Sequence, residues 1–138
     1  MIQQDVYIER EDWLVHCFLA TNRDDTEPIL SLLEDIGITP QQMMRAERHI
    51  YRATLNSGMT YSNPIKRKSV FVVAATTSDE EMVNTFSHEL RHLVDDIAEA
   101  NGIPTNGEHI AYLTGDIAMA IAANLLQLAC HCPICSRH

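Results

Sequence analysis

The stretch SVFVVAATTSDEEMVNTFSHELRH, residues 69–92, holds the most strand-like run of the chain and the start of its longest predicted helix. Residues 69–75 are largely consecutive β-branched and aromatic residues, which predicts a strand covered on both faces. Ser78, with Glu81 three residues later, has the pattern of a capping box and predicts the start of a long helix. Gly102 is placed to end this helix after about Asn101. A buried strand followed by a long helix is therefore expected.

The segments on either side of this unit predict a small sheet and three more helices. Residues 5–20 carry β-branched and aromatic residues around a polar break, which predicts a hairpin of two strands. Two helices begin near Pro28 and Thr39, and a last helix spans about 107–129. Residues 59–68, MTYSNPIKRK, predict a loop or an irregular edge segment. We expect an α+β fold with two or three strands and about four helices.

Length and composition limit the classes of function. The chain has 138 residues, which predicts one domain over 1–138 with a cysteine-rich tail at about 130–138. Nineteen acidic against ten basic side chains give a net charge of -9, which disfavours a nucleic-acid partner. No targeting segment and no apolar run long enough to span a bilayer is expected. The cysteines do not form a spread-out disulfide framework, so we expect a cytoplasmic protein without a membrane partner.

The sequence HELRH, residues 88–92, contains the pattern H-E-x-x-H. On a helix, His88 and His92 leave the same face about one turn apart, which is the spacing that chelates Zn²⁺. The intervening Glu89 would activate water as a general base and pass the proton to the leaving amine. The competing interpretation is an ordinary pair of polar histidines. The metal site is favoured because the helix is well capped and its opposite face is apolar, with Met82, Val83, Phe86, Leu90, Leu93, Val94 and Ile97.

The start of the last predicted helix offers a third zinc ligand. A catalytic zinc usually takes three protein ligands, and Glu108 would complete a set of two histidines and a carboxylate. The alternative is that Glu108 is simply a favourable acid at a helix amino terminus. His109 points about 100° away from Glu108 and is the weaker candidate. Tyr112, one turn after Glu108, is either an oxyanion donor or an ordinary packed tyrosine.

Three carboxylates follow the histidines along the same helix. Asp95 and Glu99 continue the histidine stripe, and Asp96 lies at its margin. Such carboxylates commonly accept a hydrogen bond from the far nitrogen of a metal-bound imidazole. The alternative for each is a solvated surface charge.

The carboxyl-terminal segment CHCPICSRH concentrates four potential metal ligands. Cys130, Cys132, Cys135 and His138 lie close enough together to hold a second, structural metal. A reduced or redox-sensitive tail is the alternative, because the pattern lacks a second distant pair of ligands.

The motif HELRH together with GEHIAYLTG, residues 107–115, resembles a minimal gluzincin-type zinc metallopeptidase over about residues 70–119. The chain is also similar over most of its length to small, uncharacterised zincin-like proteins of gut-bacterial phages and mobile elements. The first resemblance implies a zincin-like fold and a Zn²⁺-dependent hydrolase that cuts a peptide or protein substrate. It implies His88, His92 and Glu108 as zinc ligands and Glu89 as the general base.

The resemblance also implies that the strand at 70–75, or one beside it, forms an edge to which an extended peptide adds. The chain departs from the family in two respects. Tyr112 stands where many gluzincins have an aspartate, and the large substrate-binding lobe is absent. Asp95 and Ala98 replace the glycine and histidine that metzincins need, which excludes that branch. The alternative function is a non-catalytic, zinc-stabilised interaction or regulatory module.

Overall fold

The computed structural model describes residues 1–52 and 56–129 and has the expected α+β architecture. In chain order its elements are β1 (Ile2–Ile8), β2 (Trp13–Thr21), α1 (Thr26–Ile36), α2 (Pro40–Tyr51), β3 (Gly58–Asn63), β4 (Lys68–Ala74), α3 (Asp79–Asn101) and α4 (Glu108–Ala129). Two short 3-10 turns, Glu9–Glu11 and Arg23–Asp25, precede β2 and α1.

The four strands form one mixed sheet in the order β1-β2-β4-β3. β1 pairs antiparallel with β2, β2 pairs parallel with β4, and β3 pairs antiparallel with β4. The predicted hairpin and the predicted buried strand are confirmed. The expectation of only two or three strands is wrong, because the sheet has a fourth.

The additional strand is β3, which lies inside the stretch predicted as a loop. Its residues are mostly polar, and Pro64 follows it directly, so the local sequence favours a turn. β4 provides the stabilisation that the local sequence lacks: Met59 pairs with Val72, and Tyr61 with Val70. Met59 is also buried in the core. Pairing and packing therefore override the local preference.

The helix boundaries follow from capping residues. Thr39 begins α2 with a capping box in which its side chain and that of Gln42 each bond the other's backbone amide at 3.1 Å. The Ser78 side chain accepts from the backbone amide of Glu81 at 3.1 Å and begins α3. Gly37 and Gly102 end α1 and α3 with left-handed backbone. All four predicted helices are confirmed.

The sheet separates two apolar clusters, so the fold has three layers. Alternate residues of β2 and β4 point to opposite faces: Cys17 and Phe71 join α3 and α4, whereas Phe18 and Val70 join α1 and α2. Of the apolar positions predicted on α3, all are buried except Val83, which is 55% exposed. Val83 lies in the first turns of α3, where no described element covers that side.

The helix α4 is more apolar than expected. Its segment Glu108–Leu128 has 21 residues and a mean hydropathy of 1.3, so by length and composition alone it is apolar enough to cross a membrane. The expectation that the chain contains no such segment is therefore wrong. Within the structure 22% of that apolar window is buried, and five residues of α4 join the cluster on its face of the sheet: Ile110, Leu113, Ile117, Ile121 and Leu125.

The strand β3 passes close to α3 at Gly58. A Cβ atom there would lie 2.7 Å from the Val72 carbonyl oxygen and 2.8 Å from Cγ of Glu89. Both distances are shorter than van der Waals contact allows, so only glycine fits at this position without movement of its neighbours. The glutamate of the H-E-x-x-H motif is thus packed directly against the strand that the sequence did not predict.

Replacing Gly58 by alanine is expected to destabilise the protein by roughly 1–3 kcal/mol, because the backbone or Glu89 must shift to make room. Gly115→Ala is the matched control: a Cβ there meets nothing within 4 Å, and alanine is favoured in a helix. Urea unfolding of both variants measures the difference. Equal stability of the two variants would contradict the close approach.

Cys17 is expected to resist alkylation in the folded protein. Its side chain is fully buried, and burial raises the pKa of the thiol to about 12. At pH 8 it is therefore a thiol rather than the reactive thiolate. Iodoacetamide labelling followed by peptide mapping should find Cys17 unmodified in native protein and modified in 6 M guanidinium. Rapid labelling of native protein would show that the core opens readily at β2.

Candidate metal centre

The two histidines of the motif face each other on the exposed side of α3. The Nε2 atoms of His88 and His92 are 3.2 Å apart, and the rings meet edge to face with centroids 4.8 Å apart. Two nitrogens bound at 2.0–2.1 Å to one tetrahedral zinc would be about 3.3 Å apart. A hydrogen bond between a neutral donor and acceptor tautomer has a similar length. The pair is therefore placed to share one proton or one metal ion.

Glu89 directly follows His88 in the sequence, but its side chain points inward, between α3 and β3. Its side chain is 5% exposed. The hydroxyl of Thr60, on β3, donates to Oε1 of Glu89 at 2.9 Å. Thr85, also on α3, donates to the carbonyl of Asn56, two residues before β3, at 3.1 Å. The Glu89 carboxylate is thus held by β3 beside the histidine pair.

A small cavity connects Glu89 and His88 to α2. Its volume is about 260 Å³, and its lining consists of His49, Asn56, Ser57, Gly58, Asn84, Thr85, His88 and Glu89. His49 comes from the last turn of α2 and was not among the residues predicted for the site. Its spacing from Gln42 and Arg45 places it on one face of α2, but only the tertiary structure shows that His49 lines a cavity together with residues of α3.

A second cavity continues along β3 towards its far end. It measures about 390 Å³ and is lined by Gln42, Thr60, Tyr61, Ser62, Pro64, Asp96, Glu99 and Ala100. Each of the two cavities is lined by residues of α2, β3 and α3, and we refer to the two together as the groove along β3. β3 is the last strand in the sheet order, so its outer edge has no strand partner in the described part of the chain.

Asp96 is anchored to the core rather than to a histidine. Its Oδ2 accepts from Ser62 at 2.7 Å, Ser62 is 2.6 Å from the Ser69 hydroxyl, and Ser69 accepts from Trp13 Nε1 at 2.8 Å. The pKa of the Asp96 carboxyl is raised above its ordinary value, because burial has the largest effect. The hydrogen bond from Ser62 and the nearby charge of His92 act in the opposite direction. The hydrogen-bonded chain joins the groove to the interior of the sheet.

Asp95 is bonded to Arg91 rather than to His88 or His92. Its Oδ2 accepts from Nε of Arg91 at 3.0 Å, one turn earlier. In the structure neither Asp95 nor Asp96 accepts a hydrogen bond from a histidine of the motif. Their predicted role in orienting an imidazole therefore stays a prediction.

Glu108 is not brought to the histidines. It is exposed on the first turn of α4, and no three His, Cys, Asp or Glu side chains within 1–52 and 56–129 are grouped as a metal site. The reason is the length of α3, which continues nine residues, or about 13 Å, beyond His92. Glu11 contacts both ends of the loop between α3 and α4: its carboxylate accepts a hydrogen bond from Asn101 at 3.0 Å and lies 3.6 Å from Nε2 of His109.

The remaining predicted residues lie elsewhere. Tyr112 is 62% exposed on α4, so it is not the packed tyrosine that was one of its two interpretations. The candidate ligands of a second metal, Cys130, Cys132, Cys135 and His138, lie outside the described residues.

Comparison of the chain with protein-family models, with curated proteins and with solved structures found no match. What the site does must therefore be inferred from its own geometry.

Replacing Thr60 by valine is expected to destabilise the protein by roughly 1–3 kcal/mol, because the buried Glu89 carboxylate loses a donor. Thr60→Ser, which keeps the hydroxyl, is the matched control. In a Glu89→Ala background the valine substitution should have much less effect, and urea unfolding of the four proteins of this double-mutant cycle gives the coupling energy. Additive losses would show that the hydrogen bond does not stabilise the fold.

Proposed function

We propose that this chain is a zinc-dependent peptidase in which His88 and His92 bind the metal and Glu89 is the general base. The observation that carries the proposal is the 3.2 Å separation of the two Nε2 atoms beside a cavity that Glu89 also lines. A structural pair of histidines needs no buried carboxylate at its side, whereas hydrolysis requires a base within reach of the attacking water.

The histidine pair fits zinc in donor type and in separation. Neutral imidazole nitrogen is a preferred zinc ligand, and the two Nε2 atoms are 3.2 Å apart. Among the described residues the pair supplies two donors, so the third ligand is left unassigned. When bound, zinc polarises a carbonyl oxygen and lowers the pKa of a coordinated water.

Glu89 lines the same cavity as His88, which supports its assignment as the base in the proton transfers. Its carboxylate accepts a proton from the water as the water attacks the peptide carbonyl, and then delivers that proton to the leaving amine. The hydrogen bond from Thr60 limits its rotation, so the carboxylate is held in place before the substrate arrives. The Thr60 side chain acts in this scheme by positioning Glu89.

The free edge of β3 supports an extended peptide as the substrate class. Exposed backbone groups of an edge strand pair readily with an added strand, which aligns the new backbone without regard to its side chains. A peptide paired with β3 would lie along this groove. Its carbonyl groups then pass the cavity that holds Glu89 and His88.

The first test is metal content. Untagged protein purified without chelator is expected to hold one zinc per chain, and His88→Ala and His92→Ala are each expected to lose it. The triple variant C130S/C132S/C135S serves as the background, which removes binding by the tail. Glu108→Ala is the matched control and should keep its zinc, because the structure does not bring Glu108 to the pair. Zinc retained in both histidine variants would overturn the site.

The second test separates the peptidase from the non-catalytic zinc module. Glu89→Gln should keep the zinc and reduce hydrolysis of a mixed peptide library at least 100-fold, because general-base catalysis typically contributes that much. Mass spectrometry of the library detects the products. If the zinc-loaded parent protein cuts no peptide, the result contradicts the peptidase and supports the non-catalytic, zinc-stabilised module.

A further inference from the structure

The helix α4 is apolar on nearly all sides, but the described part of the chain covers only one of them. That side packs in the core through five buried side chains between Ile110 and Leu125. On the opposite side three large apolar residues are exposed: Tyr112 at 62%, Met119 at 73% and Leu126 at 66%. A helix that is apolar all round is normally buried all round. The outer side of α4 therefore has the composition of an interface.

The exposed residues are spaced as in a contact between two helices. Tyr112, Met119 and Leu126 are seven residues apart, so they form one stripe along α4. Small exposed residues separate them, Gly115 in the first interval and Ala123 in the second, and a Cβ atom at Gly115 would meet nothing within 4 Å. Large side chains alternating with small ones fit between the side chains of another helix. We call these five residues the outer stripe.

The outer stripe is symmetric about Met119. Tyr112 and Leu126 each lie seven residues from Met119, and Gly115 and Ala123 each lie four residues from it. A second, antiparallel copy of α4 that crosses at Met119 would therefore place Tyr112 opposite the partner's Leu126. Gly115 would lie opposite the partner's Ala123. A two-fold axis needs exactly this kind of self-complementary surface, so the pattern indicates a second copy of the chain as the partner.

The charges on α4 fit the antiparallel pair. Its only acidic side chains are Glu108 and Asp116, and it carries no lysine or arginine. In a parallel pair each acid would lie beside its own copy, which is repulsive. In the antiparallel pair Asp116 lies opposite the partner's Ala122, and the two copies of Glu108 lie at opposite ends. Because each chain has a net charge of -9, an interface without opposed like charges is needed for two copies to associate.

A lipid surface fits the outer stripe less well. Helices that lie on membranes carry lysine and arginine on their polar face, and α4 has neither. The anionic headgroups of a bilayer would repel an acidic chain. A span across the bilayer would also require α4 to withdraw its buried side chains from the core that it shares with α3 and the sheet.

From the outer stripe we infer that two copies of this chain associate through α4, antiparallel and crossing at Met119. This inference does not depend on the proposed peptidase, because the residues of that site lie on α3 and β3. The stripe is about 21 Å long, so one helix pair buries less than the roughly 800 Å² per partner of a standard interface. We therefore expect a reversible dimer with a micromolar dissociation constant.

Sedimentation equilibrium of the full chain tests the dimer. The C130S/C132S/C135S background in EDTA removes association through disulfides or a shared metal. Micromolar to millimolar protein should show a monomer–dimer equilibrium. Met119→Glu puts two like charges at the two-fold axis and should weaken the dimer at least 10-fold. Val83→Glu is the matched control: it adds the same charge at an apolar position that is 55% exposed on α3, and it should keep the dimer.

Cysteine crosslinking tests the antiparallel arrangement. In the same background, which retains only the buried Cys17, Tyr112→Cys and Leu126→Cys proteins are oxidised separately and as a mixture. The mixture should form a disulfide between the two variants, whereas each variant alone should stay largely monomeric. Crosslinking of each variant alone as readily as in the mixture would contradict the antiparallel pair.

Three results would overturn the dimer through α4. The first is a parent protein that stays monomeric up to millimolar concentration. The second is an equal dissociation constant for the Met119→Glu and Val83→Glu variants. The third is a monomer that binds vesicles of phosphatidylcholine and phosphatidylglycerol and loses this binding with Met119→Glu, which would assign the outer stripe to a lipid surface. Circular dichroism of both variants shows that a lost dimer is not lost folding.

Discussion

The close approach of β3 to α3 is the contact on which the rest of the site depends. Gly58 lacks the Cβ atom that would collide with the Val72 carbonyl and with Glu89. Because the strand comes so near, the Thr60 hydroxyl reaches the Glu89 carboxylate, and the glutamate is buried where a surface helix would normally expose it. Without this contact, Glu89 would be one more solvated acid on an acidic protein.

Because of this contact, three sides of α3 carry side chains with different roles. The apolar face of α3 packs on the sheet and on α4, the side towards β3 carries Glu89 and Asp96, and the outer side carries the histidine pair. A helix places residues three and four apart on one side, so His88 and His92 share the outer face while Glu89 lies towards the strand. The base and the candidate ligands are therefore adjacent but differ in solvent exposure.

Helices and buried strands were predictable because their signals are local. Ser78 and Gly102 mark the start and the end of α3, and the apolar, β-branched run at 69–75 predicted a buried strand. β3 was not predictable, because its polar residues are ordered by pairing with β4. Glu108 was predicted as a ligand because a carboxylate at the start of the next helix would complete a common zinc set. The sequence does not show how α4 is placed relative to His88 and His92: α3 continues nine residues beyond His92, and the structure does not group Glu108 with the histidines. The presence of His49 beside Glu89 and His88 depends on how α2 is placed relative to α3, which no local pattern encodes.

The most direct measurement of the central claim is zinc X-ray absorption spectroscopy. One equivalent of zinc is added to the full chain in which Cys130, Cys132 and Cys135 are replaced by serine. The account predicts a first shell of nitrogen and oxygen at about 2.0–2.1 Å, with the outer-shell scattering of two imidazole rings. That imidazole scattering should disappear when His88 and His92 are replaced by alanine. An unchanged spectrum in the double variant, or a shell without imidazole, would contradict a zinc site on α3.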